Sequence, residues 1–162
     1  MATSTKTTKK ELNLDEKIKV RNIASWEATF VRRDNNMDVR IAGHGTYALP
    51  RSEVIAQCNS NNRLMIGTDG LGSHATLIIE DDPTRIELGF ISEDGSTEQL
   101  YYNDGLLKKL FSISNHDEFE SEFKRCFVER AEYFAVLDGI NRLGLNDYRK
   151  IRFIEKYTGL HL

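Results

Sequence analysis

A chain of 162 residues with 40% hydrophobic and 29% charged side chains is too apolar to stay disordered, and its length suits one domain or two small modules on a shared core. Its net charge of −3 excludes a whole-chain field toward nucleic acid or acidic lipid, and no apolar run approaches the roughly 20 residues that cross a bilayer. The start MATSTKTTKKE lacks the apolar stretch of a secretory signal, and Cys58 and Cys126 stand far apart with no CxxC or Cys/His spacing, so a reduced cytoplasmic protein without a membrane partner is expected.

Residues 1–15 read as a flexible basic arm, small and polar, with Lys6, Lys9 and Lys10 and no acid before Glu11. Such a segment is a solvated tail or an arm that orders on a neighbouring subunit or acidic surface. Residues 16–102 read as a strand-rich module. Ile18 and Val20, then Trp26, Ala28 and Phe30, then Val39 and Ile41, alternate with polar residues at period two. Arg33-Asp34-Asn35-Asn36 and Gly43-His44-Gly45 supply turns, and Tyr47 and Leu49 share a side, which predicts a small antiparallel meander with Trp26 as its core anchor.

Pro50 fits the first position of a helix carrying Val54, Ile55 and Cys58 on one face, stopped by the polar run 59–62. Leu64, Met65 and Ile66 predict a short buried strand, 67–72 a glycine-rich loop, and 74–80 a returning strand with Ala75, Leu77 and Ile79 alternating. Asp82 before Pro83 is expected to cap a short helix ended by Gly89, Glu93-Asp94-Gly95-Ser96 to turn, and 99–102 to be extended.

Residues 103–162 read as a helical module. Leu106, Leu107, Leu110 and Phe111 form one apolar face, and Asn115 with Glu118 resembles a capping box. Phe119, Phe123, Phe127, Ala131, Phe134, Leu137, Ile140 and Leu143 continue at helical spacing, too far for one helix, so a break is expected within 126–129. Gly144 ends that stretch. Asn146 is expected to cap a last helix with Tyr148, Ile151, Ile154 and Tyr157 inward and Gly159 at its end. The fold class is therefore α+β, an antiparallel sheet module followed by a helical one. Two prolines are too few for a long linker, so the halves should pack together.

Chemistry is harder to find. The 67–72 loop with Ser73 invites a phosphate-binding reading, yet it lacks the GK[ST] ending and is followed by a strand pattern. Asp69, Ser73 and His74 are the residue types of a hydrolytic triad, but neighbours on a strand point to opposite faces. The acids Glu80, Asp81, Asp82, Glu87, Glu93, Asp94 and Glu98, opposed only by Arg85, lack the order of an EF-hand and read as a solvated face or a docking surface for a basic partner. His44, His74, His116 and His161 are scattered, without zinc spacing. No pair of carboxylates stands out as an acid and a base, so no catalytic residue, cofactor or metal is expected.

The last helix carries Arg149, Arg152 and Lys156 at i, i+3, i+7 with Lys150 beside them, a cationic face that also complements the helix C-terminus. Such a face suits a docking helix for a partner subunit, a solvated surface, or a helix entering a DNA groove.

Several short motifs occur in order: Val20-Arg21-Asn22; Leu49 and Pro50 with Glu53 and Val54; Ile78-Ile79-Glu80-Asp81; Glu87-Leu88-Gly89; Leu145-Asn146-Asp147 with Lys150; and Tyr157-Thr158-Gly159. Over roughly residues 18–160 this order of elements resembles small proteins encoded among the virion genes of tailed bacteriophages, including crAss-like phages. The resemblance implies a non-enzymatic capsid-associated or connector-region component, located in the virion, that works through protein–protein contacts with other subunits. It brings no catalytic residues. Partner contacts are then expected at Lys6, Lys9, Lys10, Asp81, Asp82, Arg149, Lys150, Arg152 and Lys156, with head-to-tail contacts between copies as one form. The alternative is a DNA-binding or regulatory protein using the basic C-terminal helix.

Overall fold

The computed structural model describes residues 10–97 and 99–162. Period-two alternation makes Lys17–Asn22 (β1) a strand whose Ile18, Val20 and Asn22 turn inward. β1 pairs antiparallel with Thr46–Pro50 (β4) on one side, Lys17 opposite Pro50, and with Leu77–Ile79 (β5) on the other, Val20 opposite Ile79. The sheet order is thus β4-β1-β5, and a separate hairpin joins Ala28–Val31 (β2) to Asp38–Ile41 (β3).

Asn22 ties the hairpin to the sheet. Its buried amide donates to the carbonyls of Trp26 (2.8 Å), Ile41 (3.0 Å) and Ala42 (3.2 Å), while its oxygen accepts from Ala24 N–H (2.9 Å). Trp26 is not the core anchor expected from the alternation. It is 42% exposed and meets Phe134 edge-on at 5.6 Å, because the strand begins only at Ala28 and the preceding turn swings the indole outward.

Arg51–Asn59 (α1) follows Pro50, which is its N-cap. The buried Glu53 carboxylate accepts from the Arg33 and Asp34 N–H groups of the β2–β3 turn (2.8 and 3.1 Å), so the helix holds the hairpin. Residues 63–66, expected as a strand, are the short helix Arg63–Ile66 (α2), because Asn62 caps it by accepting from Leu64 N–H. The returning strand shrinks to β5, since His74 takes a positive φ of 59° that breaks an extended run. Asp82–Glu87 (α3) is capped by Asp81, not Asp82; the Asp81 carboxylate accepts from Thr84 N–H.

The C-terminal half is Asp104–Phe111 (α4), His116–Cys126 (α5), Arg130–Leu143 (α6) and Tyr148–Thr158 (α7). The break within 126–129 is present, with Phe127 extended as the C-cap of α5. Asn115 caps α5 as expected, while α7 is capped by Asp147 in place of Asn146. Gly144 and Gly159 end their helices in the left-handed region.

Two apolar clusters result. One gathers Val20, Ile41, Leu49, Val54, Cys58 and Leu77; the other gathers Leu107, Phe119, Phe123, Cys126, Phe127 and Ile154. β5 lies between them: Leu77 and Ile79 enter the first cluster, and Ile78 the second, with Ile23, Ala24 and Ala75. A strand buried on both faces joins the two halves, and both cysteines are buried, in different clusters.

Candidate interaction site

α5 and α7 pack side by side because their aromatic residues interlock. Phe119 and Phe123 each meet Phe153 edge-on at a centroid distance of 5.8 Å, and Phe153 stacks on Tyr157 at 5.7 Å. A groove of about 990 Å³ opens along this seam, lined by His116, Glu120 and Lys124 from α5 and by Arg149, Arg152, Phe153, Glu155, Lys156 and Tyr157 from α7, with His161 beyond it. Lys124 Nζ lies over the rings of Phe153 (5.6 Å) and Tyr157 (5.9 Å). Arg152 lies over Tyr148, which is 72% exposed.

The groove's two carboxylates are already engaged. Glu120 faces His116 Nε2 at 3.0 Å, and Glu155 accepts the Leu162 N–H at 3.0 Å with His161 at 3.8 Å. Among the described residues, Lys124, Arg149, Arg152 and Lys156 have no carboxylate within 4.0 Å, and all four are exposed. An aromatic floor rimmed by unneutralised cations is chemically suited to an anionic partner.

Lys150 does not belong to that rim. It is 7% exposed, and its ammonium donates to the Phe111 carbonyl (2.6 Å) at the C-terminus of α4, with Asp147 at 3.4 Å. The i, i+3 series beginning at Tyr148 drifts off the core; the buried stripe runs through Lys150 and Ile154, with Phe153 half-buried between them. The cation completes the C-terminal carbonyls of α4, which is why a lysine can point inward there.

The acidic stretch is also altered by the fold. Glu80 pairs with Arg21, and Asp82 with Arg85 at 3.1 Å. Asp81 contacts the buried Arg51 guanidinium (3.2 Å), which also reaches Glu16 (3.0 Å) and Thr84. Three arginines oppose it, where the sequence offered one. Burial pushes the Asp81 carboxyl up, but its bonds from Thr84 and the Arg51 charge hold it below its ordinary value. Glu93 and Asp94 remain exposed. Lys10 is exposed as well; Lys6 and Lys9 lie outside the described residues.

Other candidates resolve into structure. Asp69 Oδ1 accepts from the Leu71 (2.8 Å) and Ser73 (3.1 Å) N–H groups, so a carboxylate occupies the amides that a phosphate would need. A second groove of about 720 Å³ runs between β1, β5 and α6, but its guanidiniums are spoken for: Arg21 by Glu80, Arg85 by Asp82 and Gln99, Arg142 by Asp104 at 2.7 Å. Sequence reasoning missed the pair His74–Glu132, because no spacing rule links residues that far apart. Glu132 is fully buried and lines neither groove.

Among the described residues no group of three or more His, Cys, Asp or Glu could hold a metal ion, and no helix is long and apolar enough to cross a membrane. No protein-family model, curated protein or solved structure matches the chain.

Proposed function

We propose that this protein is a non-enzymatic assembly component that docks through the α5–α7 face onto an acidic surface of a partner protein. The observation that carries the reading is the set of four exposed cations, Lys124, Arg149, Arg152 and Lys156, left unneutralised around the Phe153–Tyr157 stack. In the second groove, by contrast, Arg21, Arg85 and Arg142 each have a carboxylate partner. Arginine and tyrosine are enriched at the hot spots of protein interfaces. The resemblance to phage virion proteins gives the setting, a particle built from several subunits.

One observation favours a second reading. The exposed Tyr148 beneath Arg152 could stack a base while neighbouring cations meet phosphates. A fluorescence anisotropy titration with a labelled polyglutamate peptide and a single-stranded oligonucleotide of equal length separates the two. The docking reading expects the peptide to bind, more weakly as salt rises, and the Arg149→Ala/Arg152→Ala/Lys156→Ala variant to lose binding. Tighter oligonucleotide binding, falling steeply with salt, moves the function to nucleic acid. Binding of neither probe overturns both readings.

A further inference from the structure

The chain itself carries an exposed acidic turn. In the acidic stretch Glu80 pairs with Arg21, Asp81 with Arg51 and Asp82 with Arg85, whereas Glu93 and Asp94 are exposed and, among the described residues, have no cation within 4.0 Å. They sit in a turn that is ordered from within. Asp94 Oδ1 accepts the Ser92 hydroxyl (2.7 Å) and the Ser96 N–H (2.9 Å), and Ser92 Oγ accepts the Thr97 N–H (3.1 Å). Gly95 takes φ 71°, so the chain reverses there without strain. Bonds from Ser92 and then Ser96 hold the Asp94 carboxyl down at about 2, so it stays charged across the physiological range. A short, preordered, anionic turn loses little conformational entropy when it enters a groove.

We infer that the partner is a second copy of this chain, whose 92–97 turn enters the α5–α7 groove, with Glu93 and Asp94 set against Arg149, Arg152 and Lys156. This rests on the docking reading above and names its partner. The turn and the groove share no residue, so the contact is heterologous, and its repetition gives rings if the rotation closes and open chains if it does not.

The experiment is sedimentation velocity of the full chain from micromolar to near-millimolar concentration, at low and high salt. The expected result is a mass above one chain at low salt that returns to one chain at high salt. Arg152→Glu/Lys156→Glu and Glu93→Lys/Thr97→Lys should each be monomeric, with circular-dichroism melting curves like the parent's because all four positions are exposed and Asp94 still orders its turn. Mixing the two variants should restore assembly, since the acidic turn of one meets the intact groove of the other, and the reversed turn meets the reversed groove. A parent that stays monomeric at every concentration, or a mixture that fails to reassemble, overturns the inference. The polyglutamate titration keeps the two failures apart: a monomer that still binds the peptide through this face leaves the docking reading standing with a different partner.

Discussion

Glu132 Oε1 lies 2.8 Å from His74 Nδ1, and the other carboxylate oxygen accepts the N–H groups of Val128 (2.8 Å) and Glu129 (3.1 Å). One buried side chain thus closes the start of α6 and clasps it to the loop that leads into β5. His74 holds its place through its own N–H bond to the Leu100 carbonyl (2.7 Å).

Removing that clasp should be costly. Glu132→Ala leaves two amides and an imidazole without their acceptor in a dry site, and a loss of about 3 kcal/mol is expected by urea unfolding. Glu132→Gln keeps an acceptor oxygen and should lose about 1 kcal/mol or less. The pH dependence has a definite sign. Burial raises the Glu132 carboxyl above its ordinary 4.5, so the folded chain holds a proton that the unfolded chain has released. Stability should therefore fall as pH rises from 4.5 through the raised value, and the Gln variant should lack this fall.

Lys150 and its neighbours on α7 should separate stability from binding. Lys150→Ala orphans the Phe111 carbonyl and uncovers apolar surface, for an expected loss of about 2 kcal/mol. Arg149→Ala and Lys156→Ala, both exposed, should stay within about 0.5 kcal/mol of the parent in chemical denaturation. Equal losses at all three positions would contradict the inward placement of Lys150.

Asp81 should shape the acid limb of stability. Its depressed value means that the contribution from Thr84 and Arg51 is present above the ordinary 3.8 and vanishes as pH falls through the lower folded value. Asp81→Asn should be less stable than the parent at neutral pH, and the two melting temperatures should converge well below pH 3.8.

Cys58 should resist thiol reagents while the fold is intact. Burial pushes its thiol up to about 12, so almost no thiolate exists at mildly alkaline pH. A disulfide-exchange reagent such as dithionitrobenzoate should modify it about 100-fold more slowly in the native chain than in urea, at a rate set by opening of the fold. Native-state labelling as fast as in urea would contradict its burial.

Local pattern determined much of this protein. Alternation placed β1, β2 and β3, the asparagine and glycine signals placed the ends of α1, α5, α6 and α7, and helical spacing separated the C-terminal half, because these features depend on neighbours within a few residues. Arg149, Arg152 and Lys156 were legible as one cationic face for the same reason. Tertiary structure decided what local pattern cannot carry. Lys150 turned inward because a helix terminus 39 residues earlier offered it a carbonyl, and Asp81 became internal because Arg51, 30 residues away, was buried against it. Residues 63–66 became helix once Asn62 capped them, although their apolar run fits a strand equally well. The Glu132–His74 pair spans 58 residues and has no sequence signature at all. Charges report their type in sequence; whether a charge is neutralised or left for a partner depends on distances that only folding sets.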